Sequence, residues 1–222
     1  LLVPLLTYNQ TRATVWSLDT LYTIDSAEMV LAATTLGVDH PPGHPLYLII
    51  AHLFSTLPFA RPDEGVILAS AVCMALAASC LALCVHTRTL NVALSVATGW
   101  TFAFGRVFWF HATIAEVYAV QLAAVCALFY ALAVWFRNRE LRTLYLSCFL
   151  LGLTATTNVI LAVLLLPCLI YTLVLSLPIG QPNGRKAFAL CLAAALLGAT
   201  PLIYIPLRVF GDGFVSDFVF LS

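Results

Sequence analysis

Asp25 and Glu28 stand three residues apart, which puts both carboxylates on one face if the segment is helical. Such a pair suits general-base work: one carboxylate takes a proton from an attacking hydroxyl while the other positions or tunes it. The same spacing also resembles a helix start, in which a short polar residue is followed three positions later by Glu. Asp39 and His40 then precede the rigid run Pro41-Pro42-Gly43-His44-Pro45. Proline and glycine there predict a tight turn, on which His40 either binds a phosphate, steers a proton or is simply solvated. His44 and His52 fit an interfacial helix. Glu116 follows Trp109, Phe110 and His111 and enters an apolar run. An acid there is costly unless paired or hydrated, so it reads as functional or as half of an ion pair with Arg106 or Arg208. Arg208, after Tyr204-Ile205-Pro206-Leu207, could grip a phosphate with its planar fork or anchor a helix at the interface.

The elements that position these residues must lie in a bilayer. Of the 222 residues, 62% are hydrophobic and 9% charged, against roughly 25% charged in soluble domains. The mean hydropathy of +1.01 agrees. The chain reads as an all-α, polytopic transmembrane protein forming a single domain over 1–222, a piece of a longer protein because it begins on Leu. A net charge of zero gives no case for nucleic acid. The seven cysteines lie in apolar segments without a CxxC pair and read as small hydrophobes. No metal site is expected.

Residues 7–65 read as a first lumenal loop. It contains the weak sequon Asn9-Gln10-Thr11 and an apolar stretch, 29–57, broken at 39–45 into halves too short to span about 30 Å. Those halves read as interfacial or re-entrant helices. Uncharged runs at 66–85, 89–105, 113–136 and 187–207 read as spans. The run 143–177 reads as two short helices meeting near Thr154–Asn158. That makes about six spans over 66–207, the last bent by Pro201 and Pro206. Loops 86–88, 137–142 and 178–186 then share one face with Arg88, Arg137, Arg139, Arg142, Arg185 and Lys186. Arg12, Arg61, Arg106 and Arg208 lie on the other. The bias points the first face to the cytoplasm. Every acid but Glu140 falls on or near the opposite face, and a reaction site there would account for the asymmetry.

Several of these residues also stand in a familiar order. Asp25-Ser26-Ala27-Glu28, His40-Pro41-Pro42-Gly43-His44-Pro45-Leu46, Ala115-Glu116-Val117-Tyr118 and Pro206-Leu207-Arg208 resemble the multi-pass protein O-mannosyltransferase family that acts on plexin-type domains. Ala27 replaces a usual glycine and His44 a usual tyrosine. A histidine common in a later helix pair has no counterpart in Gly152-Leu153-Thr154-Ala155-Thr156-Thr157-Asn158. The resemblance implies a GT-C-like membrane glycosyltransferase with a catalytic acid in its first lumenal loop, where Asp25 stands. It implies a lipid-phosphate sugar donor, a protein acceptor and an endoplasmic reticulum membrane, or a bacterial inner membrane in a prokaryote. No cofactor is implied beyond the donor. On this reading Asp25 and Glu28 are catalytic, and His40, Glu116 and Arg208 meet the donor. The rival is a transporter, since broken helices and intramembrane acids also mark transport sites. Against that rival, no inverted repeat is visible and the acids gather at one face. A non-catalytic membrane subunit is the third reading.

Overall fold

The structure is a computed structural model that describes residues 1–12, 24–59, 61–177 and 182–211. Among these residues every regular element is helical. Three short helices come first: α1 (Leu2–Gln10), α2 (Ile24–Thr35) and α3 (Pro45–Ser55). They are followed by α4 (Pro62–Thr89), α5 (Val92–Ala103), α6 (Arg106–Ala112), α7 (Val117–Asn138), α8 (Leu141–Ala155), α9 (Val159–Ser176) and α10 (Pro182–Gly198). A 3₁₀ turn, Thr200–Ile203, leads into α11 (Tyr204–Gly211).

The boundaries follow local chemistry. Pro45 and Pro62 open α3 and α4, where a missing N–H costs nothing. Asp63 and Glu64 sit in the first turn of α4, against the positive end of its dipole. The side chains of Asn91 and Asn158 accept from the N–H groups of Leu94 and Leu161 and so cap α5 and α9. The α8–α9 break falls at Thr156–Asn158, within the polar stretch expected to divide 143–177.

Three helices are long and apolar enough to cross a membrane: α4 with 28 residues, α7 with 22 and α9 with 18. A fourth crossing is available if Asn183–Gly198 and Thr200–Phe210, bent by 44°, act as one span. The bend lies at the 3₁₀ turn that holds Pro201, whereas Pro206 sits inside α11. The expectation of six spans is therefore met only in part. The run 89–105 yields a helix of 12 residues, because the Asn91 cap and the Phe104–Gly105 turn cut it at both ends. It rises about 18 Å, and the 15-residue α8 about 23 Å, short of a core of about 30 Å. An uncharged run measures hydropathy and not helix length, so the caps inside it go uncounted.

The chain reverses direction between the long helices. The Cys84 thiol reaches the Phe129 carbonyl, while Tyr47 lies within electrostatic reach of both Cys73 and Glu116. Residues 73 to 84 of α4 thus run alongside 116 to 129, so α4 and α7 are parallel and α5 makes the return. Gly99 of α5 lies against Ala78 and Ala82 of α4. In the same way α8 and α10 are parallel, with Cys148 beside Cys191 and Gly152 against Ala195 and Ala199. A Cβ on Gly152 would come within 2.1 Å of the Ala195 carbonyl, so only glycine permits this approach. One core gathers Tyr8, Met29, Tyr47, Leu48, Met74 and Val120; the other joins Trp135, Leu144, Leu169 and Cys191. By contrast, only 17% of α9 is buried, as a helix facing lipid requires.

These directions put both ends of the molecule in view. Arg88, Arg137, Arg139, Arg142, Arg185 and Lys186 lie where α4 and α7 end and α8 and α10 begin. Asp25, Glu28, Asp39, Asp63, Glu64 and Glu116 lie at the opposite end, with α1 to α3. The remaining acids of that group, Asp19, Asp212 and Asp217, and the loop 178–181 fall outside the described residues.

Candidate active site at the acidic end of the bundle

The site is built on α2, α3 and the turn between them. Asp25 lies exposed in the first turn of α2, and Glu28 lies one helical turn on, on the same face. Both Glu28 oxygens reach forward to the turn: one accepts the His40 N–H at 2.7 Å, and the other lies 3.3 Å from His40 Nδ1. Glu28 therefore fixes where His40 stands. At the turn, Gly43 has φ +81°, a conformation that side chains rarely adopt. A Cβ there would also come within 3.1 Å of Ile205 in α11. The peptide bond between Pro41 and Pro42 is cis.

A second carboxylate–histidine pair closes the turn. Asp39, 4% exposed, accepts the His44 N–H at 3.0 Å with one oxygen. Its other oxygen lies 2.5 Å from His44 Nδ1. The His40 and His44 rings meet edge to face with centroids 5.6 Å apart. Two imidazoles thus sit side by side, each tied through Nδ1 to its own carboxylate.

Glu116 arrives from the far side of the core as the residue before α7 and is buried. Burial pushes its carboxyl above the usual range, and the charge of Asp25 adds to the rise. The Val117 N–H, His40 and His44 act in the opposite sense. Asp25, Glu116 and the two histidines therefore form one electrostatic unit. Fully buried Tyr47 belongs to it as well. Desolvation, then Glu116 and Asp39, hold its hydroxyl protonated well above the ordinary range, and that hydroxyl has no hydrogen-bond partner among the described residues.

Arg208 lies elsewhere. From α11 its guanidinium donates to the carbonyls of Leu36 and, at 3.1 Å, Thr35, while the Tyr204 hydroxyl donates to the Leu36 and Gly37 carbonyls. These are orphan acceptors at the C-terminal end of α2. Asp25 to Thr35 is about 15 Å of helix, so Arg208 and Asp25 stand at opposite ends of α2. Trp109 packs edge-on against Tyr8 at 6.0 Å and donates to the Thr11 hydroxyl of the sequon. Among the described residues no group of three or more His, Cys, Asp or Glu side chains is placed to hold a metal.

Asp25, Glu28, His40 and Glu116 are thus brought together, and Arg208 is not. Asp39, His44 and Tyr47 join them without having been singled out for chemistry. The first two carried a signal: a carboxylate and a histidine flanking a Pro-Pro-Gly turn are folded back onto each other. Tyr47 carried none, because its place depends on α7 packing over α3.

The chain also has matches among known proteins. The mouse (Mus musculus) protein O-mannosyl-transferase TMEM260 is 37% identical over 98 residues, which cover 44% of this chain and 14% of the mouse protein. The aligned stretch is thus a small part of that relative's length. No solved structure matches. The family model described as the protein O-mannosyl-transferase TMEM260 N-terminal domain matches residues 25–180. That match starts on Asp25, takes in every residue of the electrostatic unit and covers well over half of the sequence, so the chain belongs to the TMEM260 N-terminal domain family.

Proposed function

We propose that this chain is the membrane-embedded part of a glycosyltransferase. It moves a sugar, mannose by its family, from a lipid-phosphate donor to Ser or Thr hydroxyls of a protein. The observation that carries this reading is the cluster at the acidic end of the bundle: exposed Asp25 stands one helical turn from Glu28, which holds His40, with buried Glu116 within electrostatic reach. Asp25 accepts the proton of the acceptor hydroxyl, whose oxygen attacks the sugar carbon as the lipid phosphate leaves. Glu116, buried and within electrostatic reach of Asp25, meets the donor from the α7 side of the site. Glu28 acts by placing His40, which donates to the departing phosphate when both its ring nitrogens carry a hydrogen. Arg208 supports donor use by clamping α11 to the end of α2. GT-C-like packing with six passes fits the alternating helix directions, α5 and α8 being short crossings. The reaction then takes place on the lumenal face of the endoplasmic reticulum membrane.

The test is a transfer assay on the purified full-length protein, offering a panel of polyprenyl-phosphate sugars with Ser/Thr peptides. The expected result is sugar-dependent release of lipid phosphate and a mass increment on the peptide. A folded protein that releases no phosphate from any donor, and instead moves solute across proteoliposomes, would overturn the reading.

A further inference from the structure

The Asp39–His44 pair is not used by the mechanism above, yet it is built like a proton-transfer device. Both Asp39 oxygens are spent on His44, one on the backbone N–H and one on Nδ1. Because a carboxylate can only accept, Nδ1 carries a hydrogen and the ring orientation is fixed. Nε2 is left without a partner among the described residues, and the His44 side chain retains 11% exposure. An imidazole held this way by a buried carboxylate is the arrangement that lets histidine take up a proton while the acid bears the balancing charge. The titratable groups around it are His40 at 5.6 Å, with Glu28 behind it, and Glu116, whose carboxyl feels both His44 and Asp25. Tyr47 adds a buried, unpartnered hydroxyl that feels Asp39 and Glu116. From α11, Ile205 packs under Gly43 and Arg208 is turned to the α2 carbonyls.

We propose that Asp39 and His44 form a proton-transfer dyad of this site, with His44 Nε2 as the group on which the acceptor's proton finishes. This rests on the transfer reading above. The hydroxyl O–H bond breaks, and its oxygen forms the bond to the sugar carbon. The bond from that carbon to the phosphate oxygen breaks, its electron pair leaving with the phosphate. The proton passes from Asp25 to Nε2, giving an imidazolium balanced by Asp39, and returns to water between turnovers. Asp39 is a positioning residue and His44 the proton acceptor.

The experiment is chemical rescue of His44→Ala in the full-length protein. We expect a loss of about 10²-fold or more in turnover, with donor KM little changed, and recovery on adding imidazole. Pyrazole has the same ring size but is a far weaker base, and should not restore the rate. An undiminished His44→Ala overturns the dyad, as does loss that imidazole cannot restore or that pyrazole restores equally. Should His44→Ala fail to fold, diethyl pyrocarbonate supplies the answer on the wild-type protein. Inactivation should follow modification of His44, mapped by mass spectrometry, and slow when donor is bound. Failure of His44 to react, or full activity retained once His44 is modified, overturns the proposal. A wild-type protein that transfers no sugar is the failure of the transfer reading itself, and so is told apart from failure of the dyad.

Discussion

Asp25 and Glu28 share a helix face, but their surroundings assign them different work. Glu28 is committed to His40, whereas Asp25 is exposed and acts on Glu116 only through its charge. Asp25→Asn keeps the shape and cannot take a proton, so turnover should fall about 10²- to 10⁴-fold with no loss of folding. A capping role would leave the variant near wild type, because Asn caps nearly as well as Asp. A sugar-transfer assay on folded Asp25→Asn separates the two, and near-normal turnover would remove Asp25 from the mechanism. Glu116 gives a prediction of opposite sign for stability. Its carboxyl is held above its ordinary 4.5, so the folded chain binds that proton more tightly than the unfolded chain. As pH rises from 4.5 through the folded value, ionisation therefore costs the fold stability. Glu116→Gln cannot ionise. Its Tm in detergent should exceed wild type by a margin that opens as pH rises from 4.5 and then levels off, while transfer falls. A margin independent of pH would show that Glu116 is not held protonated by the fold. At this scale the sequence was informative where spacing alone decides, as for Asp25 and Glu28. It was silent for Tyr47, whose neighbours come from distant helices, and for Glu116 it offered Arg106 or Arg208 where the charges in reach are Asp25, His40 and His44.

The turn between α2 and α3 is held from three sides: Glu28 on His40, Asp39 on His44, and α11 beneath Gly43 and across the end of α2. His-Pro-Pro-Gly announced that turn, and proline and glycine at fixed places explain why. The role of α11 was not legible, because Tyr204 and Arg208 act on carbonyls about 170 positions earlier in the chain. A lone arginine after an apolar run reads equally as a phosphate ligand or an anchor. The structure makes a third use of it testable. Arg208→Ala removes charged donors from the Thr35 and Leu36 carbonyls and should cost about 1–3 kcal/mol of stability, read as a lower Tm without donor present. Arg208→Lys should recover only part of that, since a single ammonium cannot serve two carbonyls as the fork does. Should Arg208→Ala keep the wild-type Tm and lose only donor affinity, the clamp is wrong and the arginine meets the phosphate.

Across the whole molecule the passes alternate, and that alternation ties the charge distribution to the membrane. With α4 parallel to α7 and α8 parallel to α10, each intervening helix must run back. On the six-pass reading proposed above, α5 and α8 cross despite rises of about 18 and 23 Å. Short helices can do this by local thinning of the bilayer or by flanking side chains that reach the interface. Apolar α5 residues Val92, Leu94, Val96 and Trp100 are exposed, as contact with lipid requires. The number of crossings was legible from hydropathy only as far as helix length follows uncharged length, and caps at Asn91 and Asn158 break that relation. Labelling decides the matter. In a cysteine-free background, single cysteines at Thr89 and Arg106, both exposed, bracket α5, while Asn138 and Val159, also exposed, bracket α8. Sealed vesicles treated with an impermeant maleimide should label Arg106→Cys and Val159→Cys from the acidic side. Thr89→Cys and Asn138→Cys should label from the side that holds Arg88, Arg137 and Arg142. If Thr89→Cys and Arg106→Cys instead label from one side, α5 does not cross. Then α4 and α7 could not both span in the same direction, and the acids would no longer share a face with the start of α7.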